Sequence, residues 1–151
     1  MTTIIEGIDG LKAKKGEHLG YSDWLEITQE RVNEFAEATG DHQWIHVDPE
    51  RAKAGPFGGP IAHGYLTLSL ASYFLPKVMQ VEGFAMGVNY GLNKLRFPSP
   101  VPVGGNLRLN ATITDVKDIS GGVEVTVDMN FEVEGNEKPA CVAQAVYRYY
   151  S

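Results

Sequence analysis

The chain has one cysteine, Cys141, so no disulfide can form within it, and a reducing compartment is the simpler expectation. No segment supplies the roughly 18 consecutive apolar residues that a membrane-spanning helix needs. Residues 1–18 lack both the apolar run and the small-residue cleavage site of a secretory signal, so we expect a cytoplasmic protein with no membrane partner. Blocks of lysine or arginine are also missing, and 13 basic against 19 acidic residues give a formal charge of −6. Such a chain has no long-range attraction for phosphate backbones, and nucleic acid is not an expected partner. The best local basic cluster is Lys94 with Arg96, which offers a place for an anionic group on a small molecule. The same two charges read equally well as solvated.

What is present describes a globular chain. Apolar residues make up 43% and charged residues 21%, and 17 glycines and 8 prolines follow no fixed period, which excludes collagenous and disordered classes. A chain of 151 residues fits one domain, 1–151, with one core. Cys141 falls in an alternating pattern and reads as packing.

The hydrophobic period changes halfway along. Thr28 is a good N-cap for a helix carrying Val32, Phe35, Ala36 and Thr39 on one face, and Gly40 is placed to end it. Asp48-Pro49 supplies a cap and first position for a short helix through Ala54, which leaves Asp41–Val47 as a connector. After the loop of residues 55–60, the run from Tyr65 to Leu75 is apolar almost all round and ends at Pro76, the pattern of a buried helix.

Beyond it, Leu107, Leu109, Ala111 and Ile113 alternate with polar residues, as do Val123, Val125, Val127, Met129, Phe131 and Val133. Residues 84–97 and 140–150 read as further strands, residues 18–27 as a possible extra one, and Gly121-Gly122 and Gly135-Asn136 as turns. The result is an α+β pattern, a buried helix wrapped by a curved antiparallel meander of about four strands.

The densest set of titratable groups is the connector. A straight strand would point residues i and i+5 to opposite faces, but a pinned connector can curl so that Asp41 and His46 converge on one point and activate one water. On pattern alone the plainer reading stands first, with Asp41 in turn chemistry after Gly40 and His46 packed or exposed. His42 is expected to be exposed and Asp48 to be a cap. Gly64, leading into the buried helix, lets a ligand approach the backbone and leaves an unpaired N–H for a developing negative charge; it is as readily a close-packing glycine. His46-x-Asp48 with His63 has the composition of a two-histidine, one-carboxylate metal triad, but the cap role of Asp48 argues against it and we expect no metal. No G-x-S-x-G elbow is present, and Ser69 and Ser72 fall inside the apolar helix.

Three segments together carry a resemblance. Phe35-Ala36-x-x-Thr39-Gly40-Asp41-x-x-x-Ile45-His46-x-Asp48, then Pro60-Ile61-Ala62-His63-Gly64, then Arg96-Phe97-x-x-Pro100-Val101-x-x-Gly104 resemble the MaoC-like hydratases, among them the (R)-specific enoyl-CoA hydratases and nodulation protein N-like proteins. The first two are specific as a pair, the third is weak alone, and the match covers most of the chain.

The resemblance implies a hot-dog fold and a homodimer with sites near the subunit interface. It also implies an (R)-specific hydratase or dehydratase of trans-2-enoyl and 3-hydroxyacyl thioesters, with enoyl-CoA as the expected substrate. The family's catalytic Asp and His fall on Asp41 and His46 and its oxyanion glycine on Gly64, with no cofactor beyond coenzyme A as part of the substrate.

Gln43, Trp44, His63, Tyr65, Lys94 and Arg96 are the candidate substrate-binding residues. Gln43-Trp44 departs from the family's Asn-Pro. The carboxamide of Gln43 is expected either to hold the attacking water or to point to solvent, and Trp44 to cover the pocket. A hot-dog thioesterase and a non-catalytic acyl-CoA-binding protein are the alternatives.

Overall fold

The computed structural model describes residues 2–151. In chain order its elements are β1 (Thr3–Glu6), α1 (Gly7–Ala13), β2 (His18–Tyr21), β3 (Leu25–Glu26), α2 (Gln29–Thr39), α3 (Trp44–Val47), α4 (Pro49–Lys53), α5 (Gly64–Ser69), α6 (Ala71–Val78), β4 (Met79–Glu82), β5 (Met86–Arg96), β6 (Asn106–Ile119), β7 (Gly122–Val133) and β8 (Cys141–Tyr150).

The period-2 pattern of the second half becomes a sheet with one buried face. β6, β7 and β8 form the expected antiparallel meander, with Leu109 opposite Phe131, Met129 opposite Ala143 and Val127 opposite Ala145. Large residues on β7 face small ones on β8, which leaves depth for the helix that lies on them. The full order is β2-β6-β7-β8-β5 with β3 also on β6, so β5 precedes β6 in the chain yet pairs on the far side of β8. That placement was not expected from a simple meander. β5 is the edge strand on that side, and almost every residue along it is exposed.

α5 and α6 make one helical run, joined at Leu70, whose N–H donates to the carbonyls of Leu66 and Thr67. Leu66, Leu70, Phe74 and Val78 recur every four residues and are buried, with the Phe74 ring edge-on to Phe131 at 6.3 Å. Burying each such side chain stabilises the fold by about 1.5–3 kcal/mol.

Two expectations for this helix need correction. It passes through Pro76 to Val78, because the carbonyl that lacks a donor there is that of Ser72, on the exposed side where water can reach it. It is also not covered all round: Tyr65, Ser69, Ser72, Tyr73 and Pro76 form an open stripe.

β1, α1 and β4 have no counterpart in the sequence reading. β1 pairs in parallel with β4, setting Ile5 beside Val81, and Leu11 of α1 is fully buried. A four-residue strand whose partner lies some 75 residues on carries too short a periodic signal to read locally. No helix among the described residues is long and apolar enough to cross a membrane.

Candidate active site

The site begins where α2 ends. Gly40 takes a left-handed conformation at φ 79°, its N–H bonding to the Ala36 carbonyl, and the chain turns out of the helix. Thr39 Oγ1 accepts the Asp41 N–H at 3.4 Å, and Asp41 Oδ1 accepts the Gln43 N–H at the same distance. The Gln43 carbonyl then accepts the N–H groups of His46 and Val47 and starts α3. The connector is therefore curled, as convergence required, and it contains a turn of helix, α3. The predicted caps are in place: Thr28 Oγ1 accepts the Arg31 N–H and Asp48 Oδ1 the Arg51 N–H.

α3 carries His46 inward, where it is 6% exposed. Its Nδ1 lies 2.7 Å from the Ile61 carbonyl. A carbonyl can only accept, so Nδ1 bears the proton and Nε2 presents its lone pair. Ile61 is itself stitched in place: its N–H bonds to the Ile45 carbonyl, and Ala62 N–H to the Val101 carbonyl.

His63, next along, is 2% exposed and donates from Nε2 to the Asp41 carbonyl at 3.0 Å, while its ring stacks on His46 at 3.9 Å. One ligand atom each of Asp41, His46 and His63 lie within 4.8 Å of one another. Burial pushes the His46 pKa below its ordinary value, and the neighbouring His63 imidazole acts the same way, against the Ile61 hydrogen bond and the Asp41 charge. The arrangement favours a neutral base at His46 near neutrality.

By donor type the same trio offers two imidazoles and a carboxylate to a cation. The carboxylate is Asp41, not the Asp48 of the triad weighed from sequence, because Asp48 caps α4.

A cavity of about 420 Å³ opens onto His46 and Gly64, walled by Ile61, Thr67, Phe97 and Ala140. A larger hollow of about 560 Å³ lies between α6 and β5 and holds neither Asp41 nor His46. The smaller, which carries the His46 imidazole, is the candidate site. Gly64 opens α5, and no backbone carbonyl among the described residues takes its N–H. A Cβ there would stand 3.2 Å from three ring carbons of Phe97, so the close-packing reading of Gly64 holds as well.

The candidate substrate contacts divide. Tyr65, 68% exposed, stands edge-on to Phe97, which lines the cavity. Gln43 is exposed and its described hydrogen bonds come from its main chain. Trp44 does not line the cavity: Arg51 lies over its ring at 4.5 Å and Gly55 packs against its edge, so it braces the turn between α3 and α4. His63 is enclosed behind His46. Lys94 and Arg96 are exposed on β5 and neither lines the cavity. His42 is exposed beside Glu37, and Cys141 is buried, its thiol pushed up to about 12 by burial. The sequence reading did not single out Gln29, whose Nε2 donates to the His46 carbonyl at 2.8 Å. Its only local signal is its place in the first turn of α2.

A helical run laid on an antiparallel sheet, with Asp41 and His46 brought together in the segment between α2 and α4, is the frame of a hot-dog protein. The chain belongs to the family described as the MaoC like domain, whose pattern matches residues 11–134. It is 54% identical over 145 residues to 3-hydroxyacyl-thioester dehydratase Z of Mycobacterium tuberculosis, covering 95% of this chain and 96% of that one. It is 42% identical over 134 residues to nodulation protein N of Rhizobium leguminosarum, covering 85% of this chain and 81% of that one. Among solved structures, an (R)-hydratase from A. caviae involved in PHA biosynthesis superposes with a TM-score of 0.72 at 25% identity, covering 88% of this chain and 94% of that one.

Proposed function

We propose that this protein is a hydro-lyase that interconverts trans-2-enoyl and (R)-3-hydroxyacyl thioesters in fatty-acid metabolism, with enoyl-CoA the substrate in hand. The observation that carries the reading is a cavity lined by His46 and Gly64, with ligand atoms of Asp41 and His46 within 4.8 Å of each other, in a chain 54% identical to a 3-hydroxyacyl-thioester dehydratase.

In hydration, a water held between His46 Nε2 and the Asp41 carboxylate loses a proton to the pair as its oxygen bonds to C3. The C2–C3 π electrons move to C2 and the thioester carbonyl, and the Gly64 N–H receives the enolate oxygen. A proton returned from the pair to C2 completes the addition, and the reverse sequence is dehydration. Both proton transfers belong to the pair, which acts on the one water. Water and thioester balance the reaction without change of oxidation state, so no redox cofactor is required. Coenzyme A enters only as part of the substrate.

The working unit we assign is a homodimer. β5 ends the sheet with an unpaired edge and exposes Met86, Val88, Tyr90 and Leu92, a long apolar edge of the kind that pairs with another strand. A second copy of β5 running antiparallel would satisfy those N–H and C=O groups and wall the open stripe of α5 and α6. A cytoplasmic location suits the lone buried thiol of Cys141.

The test is incubation with crotonyl-CoA. The enoyl absorbance should fall with no free thiol released, giving the (R)-3-hydroxyacyl product. Thiol release would make the protein a thioesterase, and binding without any absorbance change an acyl-CoA-binding protein.

A further inference from the structure

Among the described residues, two buried side-chain nitrogen or oxygen atoms have no hydrogen-bond partner, Gln29 Oε1 and His63 Nδ1. Both belong to side chains whose other polar atom grips the main chain of the catalytic pair. Gln29 Nε2 donates to the His46 carbonyl at 2.8 Å, and His63 Nε2 to the Asp41 carbonyl at 3.0 Å. A buried polar atom without a partner gives up its hydration for nothing, and folded proteins hold few of them. Apolar side chains of the same size, Met at 29 and Phe at 63, would fill both positions without that cost. Local rules of stability tend to be broken where function sets the residue.

We propose that Gln29 and His63 are positioning residues, a two-point clamp that sets the distance and angle between the Asp41 carboxylate and the His46 imidazole. The inference rests on the reading of Asp41 and His46 as the catalytic pair. The clamp closes from outside the connector, Gln29 from the first turn of α2 and His63 from the segment that leads into α5. Within the connector, constraint on Asp41 is weak. Its side chain is exposed, and the two hydrogen bonds that shape its turn are both 3.4 Å long. The bonds to the carbonyls of Asp41 and His46 are shorter and come from more enclosed side chains. His63 adds a second constraint, since its ring lies 3.9 Å from that of His46 at 25° and is backed by Phe35 at 4.9 Å, which fixes the plane in which Nε2 points.

The experiment compares Gln29→Met and His63→Phe with the unaltered protein in crotonyl-CoA hydration and in thermal unfolding. Each substitution nearly conserves volume and removes both the clamp donor and the orphan atom. Turnover should fall about ten- to a hundredfold, the effect of a small misplacement of reacting groups, while the Michaelis constant stays within about twofold. The melting temperature should be unchanged or higher. His63→Gln, whose carboxamide nitrogen reaches where Nε2 stands, should recover most of the lost turnover. Should His63→Phe not fold, Gln29→Met carries the test alone, with faster amide exchange across residues 41–47 as its second readout.

Unchanged turnover in folded Gln29→Met and His63→Phe would overturn the clamp, as would a lowered melting temperature with turnover per folded molecule intact. The two readings fail separately. If Asp41→Asn and His46→Gln keep their turnover, the catalytic pair is wrong; if they lose it while the clamp variants keep theirs, the clamp alone is wrong.

Discussion

Along β7, Val123, Val125, Val127, Met129, Phe131 and Val133 are all buried on one face, whereas between Asp41 and Asp48 His46 alone is buried. The strand repeats one pairing rule for twelve residues, and its neighbours β6 and β8 complete its hydrogen bonds on both sides. The connector is held by a few bonds reaching in from other elements, with a carboxylate left in solvent and an imidazole taken out of it. The sheet puts its residues where burial is most favourable, and the connector brings a carboxylate and an imidazole together. Stability and activity should therefore respond to different substitutions.

The largest effect expected is at the pair. Asp41→Asn and His46→Gln should each lower turnover by about a hundred- to ten-thousandfold, the range of general acid–base catalysis, with little change in melting temperature. The double variant should be scarcely worse than either single one, as the proposed joint action on one water requires. Full additivity in the kinetics would show two independent roles and break the comparison at its catalytic end.

In the sheet the expected loss is of the other kind. Phe131→Ala empties a fully buried site against Phe74 and should cost about 3–5 kcal/mol in denaturant unfolding. Turnover per folded molecule should hold. A variant that unfolds normally but loses turnover would mean that the sheet core takes part in the site.

A smaller effect, graded with pH, sharpens the contrast within the connector itself. The lowered His46 pKa means that the unfolded chain binds the proton more tightly than the folded one, so stability falls as pH drops from the unfolded value near 6.5 through the folded value. The acid limb of kcat/KM, which reports the free enzyme, should have its midpoint below 6.5, and His46→Gln should flatten the matching acid loss of melting temperature. A midpoint above 6.5 would mean that the charge of Asp41 outweighs burial at His46.

The smallest effect belongs to Gln43. Its main chain shapes the turn and its side chain is exposed, so Gln43→Ala should leave turnover within about twofold of the starting value, as surface substitutions commonly do. A clear loss of rate at an unchanged Michaelis constant would return the carboxamide to the attacking water.

How much was legible depended on whether the signal was local. The caps at Thr28 and Asp48, the left-handed Gly40 and the alternation in β6, β7 and β8 are local rules, and the structure follows them. The pairing of Asp41 with His46 was readable as a possibility from the curled connector and became specific through the family motif. What the motif left open was the environment of each residue. Trp44 reads from sequence as a cover for the pocket and stands instead under Arg51, because Gly55 leaves room for its ring there. His63 reads as a substrate contact and is enclosed between His46 and Phe35.

The sequence by itself determined the class of fold, the ends of α2 and α4, the strands of the meander and the choice of Asp41 and His46 as the candidate pair, since each is written in residue type at fixed short spacing. Tertiary structure alone decided that β5 crosses to the far side of β8, that β1 finds β4, that the central helix keeps an open stripe, and that Gln29 and His63 take hold of the connector. Those outcomes join residues far apart in the chain, where the entropy of closing long loops must be met by contacts that exist only once the whole core has formed.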